Sequence, residues 1–227
     1  MINFVGNPRL LDCCDPVTIQ DVVDYCSDKT VLAVDTETTG LSHLDDKMIM
    51  LQIGDDRMQF VIDTRYVSIL PLREVLENVS VVKILHNVKF DYKFLRMSNI
   101  RLNNVWDTML TSQVINCGKQ MSHSLNNVLQ RDLNLTMDKS TRQEFVGKHD
   151  GEFTESQIVY GAKDVQHLVQ LYEHQKVKCD KYDLHATAEL ENKAALAFAD
   201  IEFNGIGLDV DTWKDLAKGA AKDVELI

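Results

Sequence analysis

The clearest pattern along the chain runs from Val31 to Leu41, VLAVDTETTGL. Val31 to Val34 form an apolar, β-branched run that suits a strand covered on both faces, and Thr38, Thr39 and Gly40 end the pattern. Side chains alternate across a strand, so Asp35 and Glu37 project from one face, at an accessible strand end. Met48 to Ile53 and Gln59 to Ile62 are strand-like runs joined by the turn-like Gly54-Asp55-Asp56. Strands joined by such short turns predict an antiparallel meander. Val81 to Leu85 reads as a further buried strand. Ahead of the meander, Met1 to Thr30 predicts an extended lead-in and a short helix, which Thr18 caps and whose stripe is Ile19, Val22, Val23 and Cys26.

Pro71 to Leu76 begins a short helix, and from Lys89 onward helical spacing dominates. Asn87 is placed to cap a helix whose inner face is Phe90, Phe94 and Met97, with Asp91 in its first turn. Glu155 to Tyr172 predicts one helix with Ile158, Val165, Leu168, Val169 and Tyr172 as its apolar side. A later helix carries Leu190, Ala194, Ala197 and Ile201 on its apolar face and ends at the turn Asn204-Gly205. Strands in front and helices behind predict an α/β fold: a mixed sheet, antiparallel meander plus parallel strands, flanked by α-helices.

The 227 residues, 44% of them hydrophobic, suffice for one good-sized core and the beginning of another unit. Lys+Arg 24 against Asp+Glu 35 gives a net charge of −11, which excludes a surface built for nonspecific adhesion to nucleic acid or anionic membrane. Metal ions bound at a site would add positive charge that this count omits. The five cysteines, Cys13, Cys14, Cys26, Cys117 and Cys179, have no C-x-x-C spacing, so neither structural zinc nor a disulfide scaffold is expected. With no basic leader and no apolar span, the chain reads as a soluble protein of a reducing cytoplasm, without a membrane partner.

Three stretches carry chemistry. Asp35 and Glu37 are either a solvated strand end or ligands for a hard divalent cation such as Mg2+ or Mn2+. Asp91 is either a surface acid that complements a helix dipole or, through its strand-to-helix junction, a neighbour of the first strand's end. Tyr160 and Asp164 stand four apart and address one point in space.

Taken in order, Asp35-Thr36-Glu37, His86-Asn87-x-Lys89-Phe90-Asp91 and Tyr160-x-x-x-Asp164 resemble the three motifs of the DEDD 3′-5′ exonucleases, in the tyrosine branch, over roughly Thr30 to Tyr172. Two further segments, Trp106-Asp107-Thr108-Met109-Leu110 and Ile201 to Asp209, resemble the proofreading domain of family A DNA polymerases, of bacterial polymerase I or phage type. The resemblance implies a ribonuclease H-like sheet and divides the chain into an exonuclease domain over 1–182 and a truncated lead into a polymerase domain over 183–227.

It also implies roles. Asp35, Glu37 and Asp164 would hold a first metal ion, Asp91 with Asp35 a second about 4 Å away, and Tyr160 would orient the attacking water. Thr38 and Asn87 resemble contacts to the terminal nucleotide, while Leu41 is either a wedge against its base or ordinary core packing. The implied activity is proofreading hydrolysis of single-stranded DNA 3′ ends for a linked or separate polymerase, in a cytoplasm or, for a phage, the host's. Ribonuclease D-like RNA trimming and an inactive exonuclease-fold module are the alternatives. The sequence departs from the polymerase pattern at His86, where glutamine is frequent, and in a short insert before the third motif. His86 reads as a packed strand-end residue rather than a phosphate neighbour, and the other six histidines show no ligand spacing. Lys139, Arg142, Lys148 and Lys163 are either phosphate contacts or solvated surface.

Overall fold

The computed structural model describes residues 1–7, 11–137, 145, 147 and 150–225. Its sheet contains β1 (Ile2–Val5), β2 (Asp15–Pro16), β3 (Val31–Thr38), β4 (Met48–Gly54), β5 (Gln59–Asp63), β6 (Val82–Leu85) and β7 (Val105–Asp107), in the order β2-β1-β5-β4-β3-β6-β7. The expected meander is present as antiparallel β3, β4 and β5, while β6 and β7 extend the sheet in parallel from β3. At the β4–β5 turn, Gly54 has φ 155° and a Cβ there would run into the Met58 carbonyl oxygen, so the hairpin needs glycine.

The helices are α1 (Ile19–Ser27), α2 (Arg73–Glu77), α3 (Val88–Met97), α4 (Thr108–Ile115), α5 (Leu125–Leu133), α6 (Glu155–Gln166), α7 (Leu168–Tyr182), α8 (His185–Asn204) and α9 (Val210–Glu225). α1 is capped as expected, by a reciprocal box between Thr18 and Asp21. Two cores sandwich the sheet. Leu32, Val34, Leu51 and Ile53 pack with Val22 of α1, Leu76 of α2, and Val88, Tyr92 and Leu95 of α3. On the other face Met50 and Val61 pack with Ile158 of α6, and Ala33 and Ile84 with Val165 and Leu168 of α6 and α7.

Several elements differ from the sequence pattern. The lead-in is extended as expected, but as strand β1 it joins the sheet in parallel with β2 and β5, a pairing that no local pattern announces. β7 lies inside the stretch read as helical, since three residues cannot display a period of two. The helix expected over Glu155 to Tyr172 breaks at His167, which lets α6 lie on β3, β4 and β5 and α7 turn onto β3 and β6. Met97 is exposed, whereas Phe94 is buried as expected, together with Val88, Asp91, Tyr92 and Leu95. In α8 the buried face is Ala188, Asn192, Ala195 and Ala199, whereas Leu190 and Ile201 are exposed.

Small residues on α8 allow close approach to α3, and its acids complete the contact: Glu202 pairs with Lys89 and Lys93, and Asp200 with Arg96. All five cysteines are free. Among the described residues no helix is long and apolar enough to cross a membrane.

Candidate active site

The alternation of β3 decides which groups meet. Ala33 faces the α6–α7 core and Leu32 and Val34 the α1–α3 core, so Asp35 and Glu37 point beneath α6 and Thr36 points toward α3. α6 starts at a capping box between Thr154 and Gln157 and passes the sheet at Gly161, where a Cβ would lie 2.7 Å from Gln52 Nε2 and 2.9 Å from Met50 Sδ. That close passage brings Asp164 to Asp35 and Glu37 of β3. Oxygen atoms of the half-buried Asp35, Glu37 and Asp164 lie within 4.8 Å of one another. The Tyr160 ring is buried and packs at 5.9 Å from that of Phe145.

Like-charged carboxylates at this spacing repel in a partly buried site, and a divalent cation reverses the balance. The donors are all oxygen, which suits Mg2+ or Mn2+ and not zinc in its sulfur and nitrogen sites. No histidine joins this group among the described residues.

Asp91 is brought to β3 from the opposite side. It is 2% exposed, and its Oδ1 accepts the Thr36 N–H at 3.1 Å and the Thr36 hydroxyl at 2.6 Å. Burial pushes its pKa up to about 7, against the lowering effect of the Thr36 hydroxyl. The surface alternative for Asp91 therefore fails, although it stands outside the group formed by the other three acids.

Asn87 occupies the N-cap position of α3 in a left-handed conformation, φ 74°, but its side chain makes no cap bond. The acceptor is Asp107, whose partners no local pattern in the sequence announces. Its Oδ1 receives the N–H groups of Asn87, Met109 and Leu110 at 3.0, 2.8 and 3.2 Å, and its Oδ2 that of Val88 at 2.8 Å. One buried carboxylate thus serves the starts of both α3 and α4. Its signal in the sequence is an acid directly before an apolar helix, read there only as a motif position.

Thr38 is buried, with its hydroxyl donating to the Gly40 carbonyl at 2.6 Å. Leu41 is 81% exposed, so core packing is excluded for it. His86 is half-buried, with Nδ1 2.9 Å from the Thr108 hydroxyl, as a packed strand-end residue would be. Lys163 is exposed on α6, whereas Lys139, Arg142 and Lys148 lie outside the described residues.

Fold and site together define a ribonuclease H-like nuclease of the kind that works through divalent cations held by carboxylates. The chain belongs to the 3′-5′ exonuclease family, whose model matches residues 14–179. It is 29% identical over 213 residues to DNA polymerase I of Aquifex aeolicus, an alignment covering 86% of this chain and 35% of that protein. It is 34% identical over 173 residues to ribonuclease D of Pseudomonas paraeruginosa, covering 74% of this chain and 44% of the relative. The chain therefore spans less than half the length of either. Among solved structures, Brucella melitensis NrnC with bound Mg2+ superposes with a TM-score of 0.73 at 22% identity, over 90% of this chain and 94% of the other. Escherichia coli RNase D gives 0.72 at 20% identity, over 88% and 52%.

Proposed function

We propose that this chain is a two-metal-ion 3′-5′ exonuclease that hydrolyses single-stranded DNA from its 3′ end, releasing nucleoside monophosphates and proofreading for a DNA polymerase. The observation that carries the hydrolytic reading is the convergence of Asp35, Glu37 and Asp164 from two elements onto one point. These three would hold the first cation, and Asp91 with Asp35 the second. Divalent ions bound there supply positive charge against the phosphodiester, acidify water and stabilise the leaving 3′ oxygen. Tyr160 would orient the attacking water rather than take its proton, since phenols are poor bases near neutral pH. Leu41, exposed just beyond the first motif, is available to lie against the terminal base, with Thr38 and Asn87 beside the terminal nucleotide.

The polymerase reading is supported by the reach of the likeness. The match to DNA polymerase I extends over 86% of this chain, against 74% for ribonuclease D. Ribonuclease D-like trimming of RNA is the second reading, favoured by the higher identity of that match, 34% against 29%. A 5′-labelled DNA strand and its RNA counterpart, each incubated with Mg2+, Mn2+ or chelator, separate the two. The expected outcome is a stepwise, metal-dependent ladder on DNA with RNA spared; preferential shortening of RNA selects ribonuclease D-like activity. No cleavage of either rejects the exonuclease reading for the isolated chain.

A further inference from the structure

Gln52 is the one polar side chain within the run Met48 to Ile53 of β4, and it is 0% exposed. Among the described residues neither its Nε2 nor its Oε1 has a hydrogen-bond partner. A buried polar group left unpaired costs about 1–3 kcal/mol, and such groups call for an explanation outside packing. A methionine would fill nearly the same volume beside Met50 without that cost.

The position of Gln52 supplies the explanation. In the antiparallel register it stands directly opposite Asp35, as Met50 stands opposite Glu37. Directly opposed residues project to the same face with Cβ atoms roughly 5 Å apart. Above it lies α6, whose Gly161 leaves room for the amide; Tyr160 precedes that glycine and Asp164 follows within one turn. The unpaired amide is thus enclosed between the strand and the helix that bring the three carboxylates together.

We propose that Gln52 is a positioning residue for this cluster: with a divalent cation bound, its Nε2 would donate to one oxygen of the Asp35 carboxylate and leave the other for the ion. The inference rests on the cation-site reading given above. Carboxylate ligands are oriented by such outer partners, whose loss lowers metal affinity or activity about 10- to 100-fold.

The test is Mn2+ binding, followed by electron paramagnetic resonance of the free ion, for wild type, Gln52→Met and Asp35→Ala, alongside kcat and KM on a labelled oligonucleotide. Gln52→Met is expected to melt no lower than wild type without metal, to bind Mn2+ about 10-fold more weakly, and to lose kcat at unchanged KM. Raising Mn2+ should restore part of its kcat, which a merely structural role would not predict. Wild-type Mn2+ affinity in Gln52→Met overturns the proposal while leaving the cation site intact, provided that Asp35→Ala loses binding. Absence of Mn2+ binding by wild type would overturn both readings. Should Gln52→Met fail to fold, Gln52→Leu is read in the same way, and failure of both would assign the amide to the core and overturn the proposal.

Discussion

β3 and β7 run parallel on either side of β6, and each carries an aspartate toward its C-terminal end, yet the two acids are treated in opposite ways. Asp107 meets four backbone N–H groups and is 1% exposed. Burial pushes its pKa upward, and those donors pull it back only in part. Asp35 instead faces two more carboxylates within 4.8 Å. A buried carboxylate surrounded by donors does structural work, because its charge is spent on helix starts. Carboxylates that converge on one another hold charge in reserve for a cation.

The comparison breaks if either acid behaves like the other. The largest effect is expected for Asp35→Ala, which should lower kcat/KM at least about 1,000-fold with Mg2+ present. Its metal-free melting temperature should hold or rise, because a like-charge contact is relieved. Retained hydrolysis would remove Asp35 from the site. Asp107→Ala should show the reverse pattern, losing about 2–4 kcal/mol in urea unfolding from two forfeited caps and newly unpaired N–H groups. The folded fraction should keep its kcat within about 10-fold, as catalytic effects of that size or larger belong to groups that act on the transition state. A stable but inactive Asp107→Ala would place that acid among the reacting groups.

The contrast also shows what a sequence can and cannot reveal. Local periodicity sets the directions of Asp35 and Glu37 on a strand and of Tyr160 and Asp164 on one helix face, whereas their joint assignment to one site came from the resemblance of the three motifs. The fold class was legible from periodicity, each meander strand carrying its own apolar run. The task of Asp107 was not, because its four donors come from residues up to 20 positions away, at helix starts whose meeting depends on the whole sheet. The sheet pairing of β1 and the buried face of α8 were hidden for a related reason. Ala188, Ala195 and Ala199 are buried for their smallness against α3, α4 and β7, a preference that hydrophobic periodicity ranks below Leu190 and Ile201. Gln52 was overlooked inside an apolar run, where only cross-strand register sets it opposite Asp35.

Leu41 sharpens the comparison at a smaller scale, since it neighbours the acids but belongs to neither core. At 81% exposure its truncation leaves no cavity, so Leu41→Ala should not move the melting temperature. Losing an apolar contact to a base of about 1 kcal/mol should raise KM for a single strand about 5-fold at nearly constant kcat. Equal binding by the variant would leave the exposed leucine without a part in substrate contact.

A third acid, Asp55, at the hairpin between β4 and β5, extends the donor-filled arrangement to a site away from the cluster. Its carboxylate accepts the Tyr25 hydroxyl, the Lys29 ammonium and the N–H groups of Arg57 and Met58. Burial pushes its pKa up, but Lys29, Met58, Tyr25 and Arg57 together outweigh burial and hold it at about 2, below the usual 3.8. A folded-state value below the unfolded one means that the unfolded chain binds more protons between these limits. The stability contributed by Asp55 is therefore present above pH 3.8 and is lost as pH falls toward 2. Asp55→Asn should be less stable than wild type in urea at pH 7, by less than Asp107→Ala, and the gap should close as pH falls through that window. A gap constant with pH would mean that the charge on Asp55 contributes nothing, and that filling an acid with donors stabilises this fold only where, as at Asp107, the donors are backbone groups of helix starts.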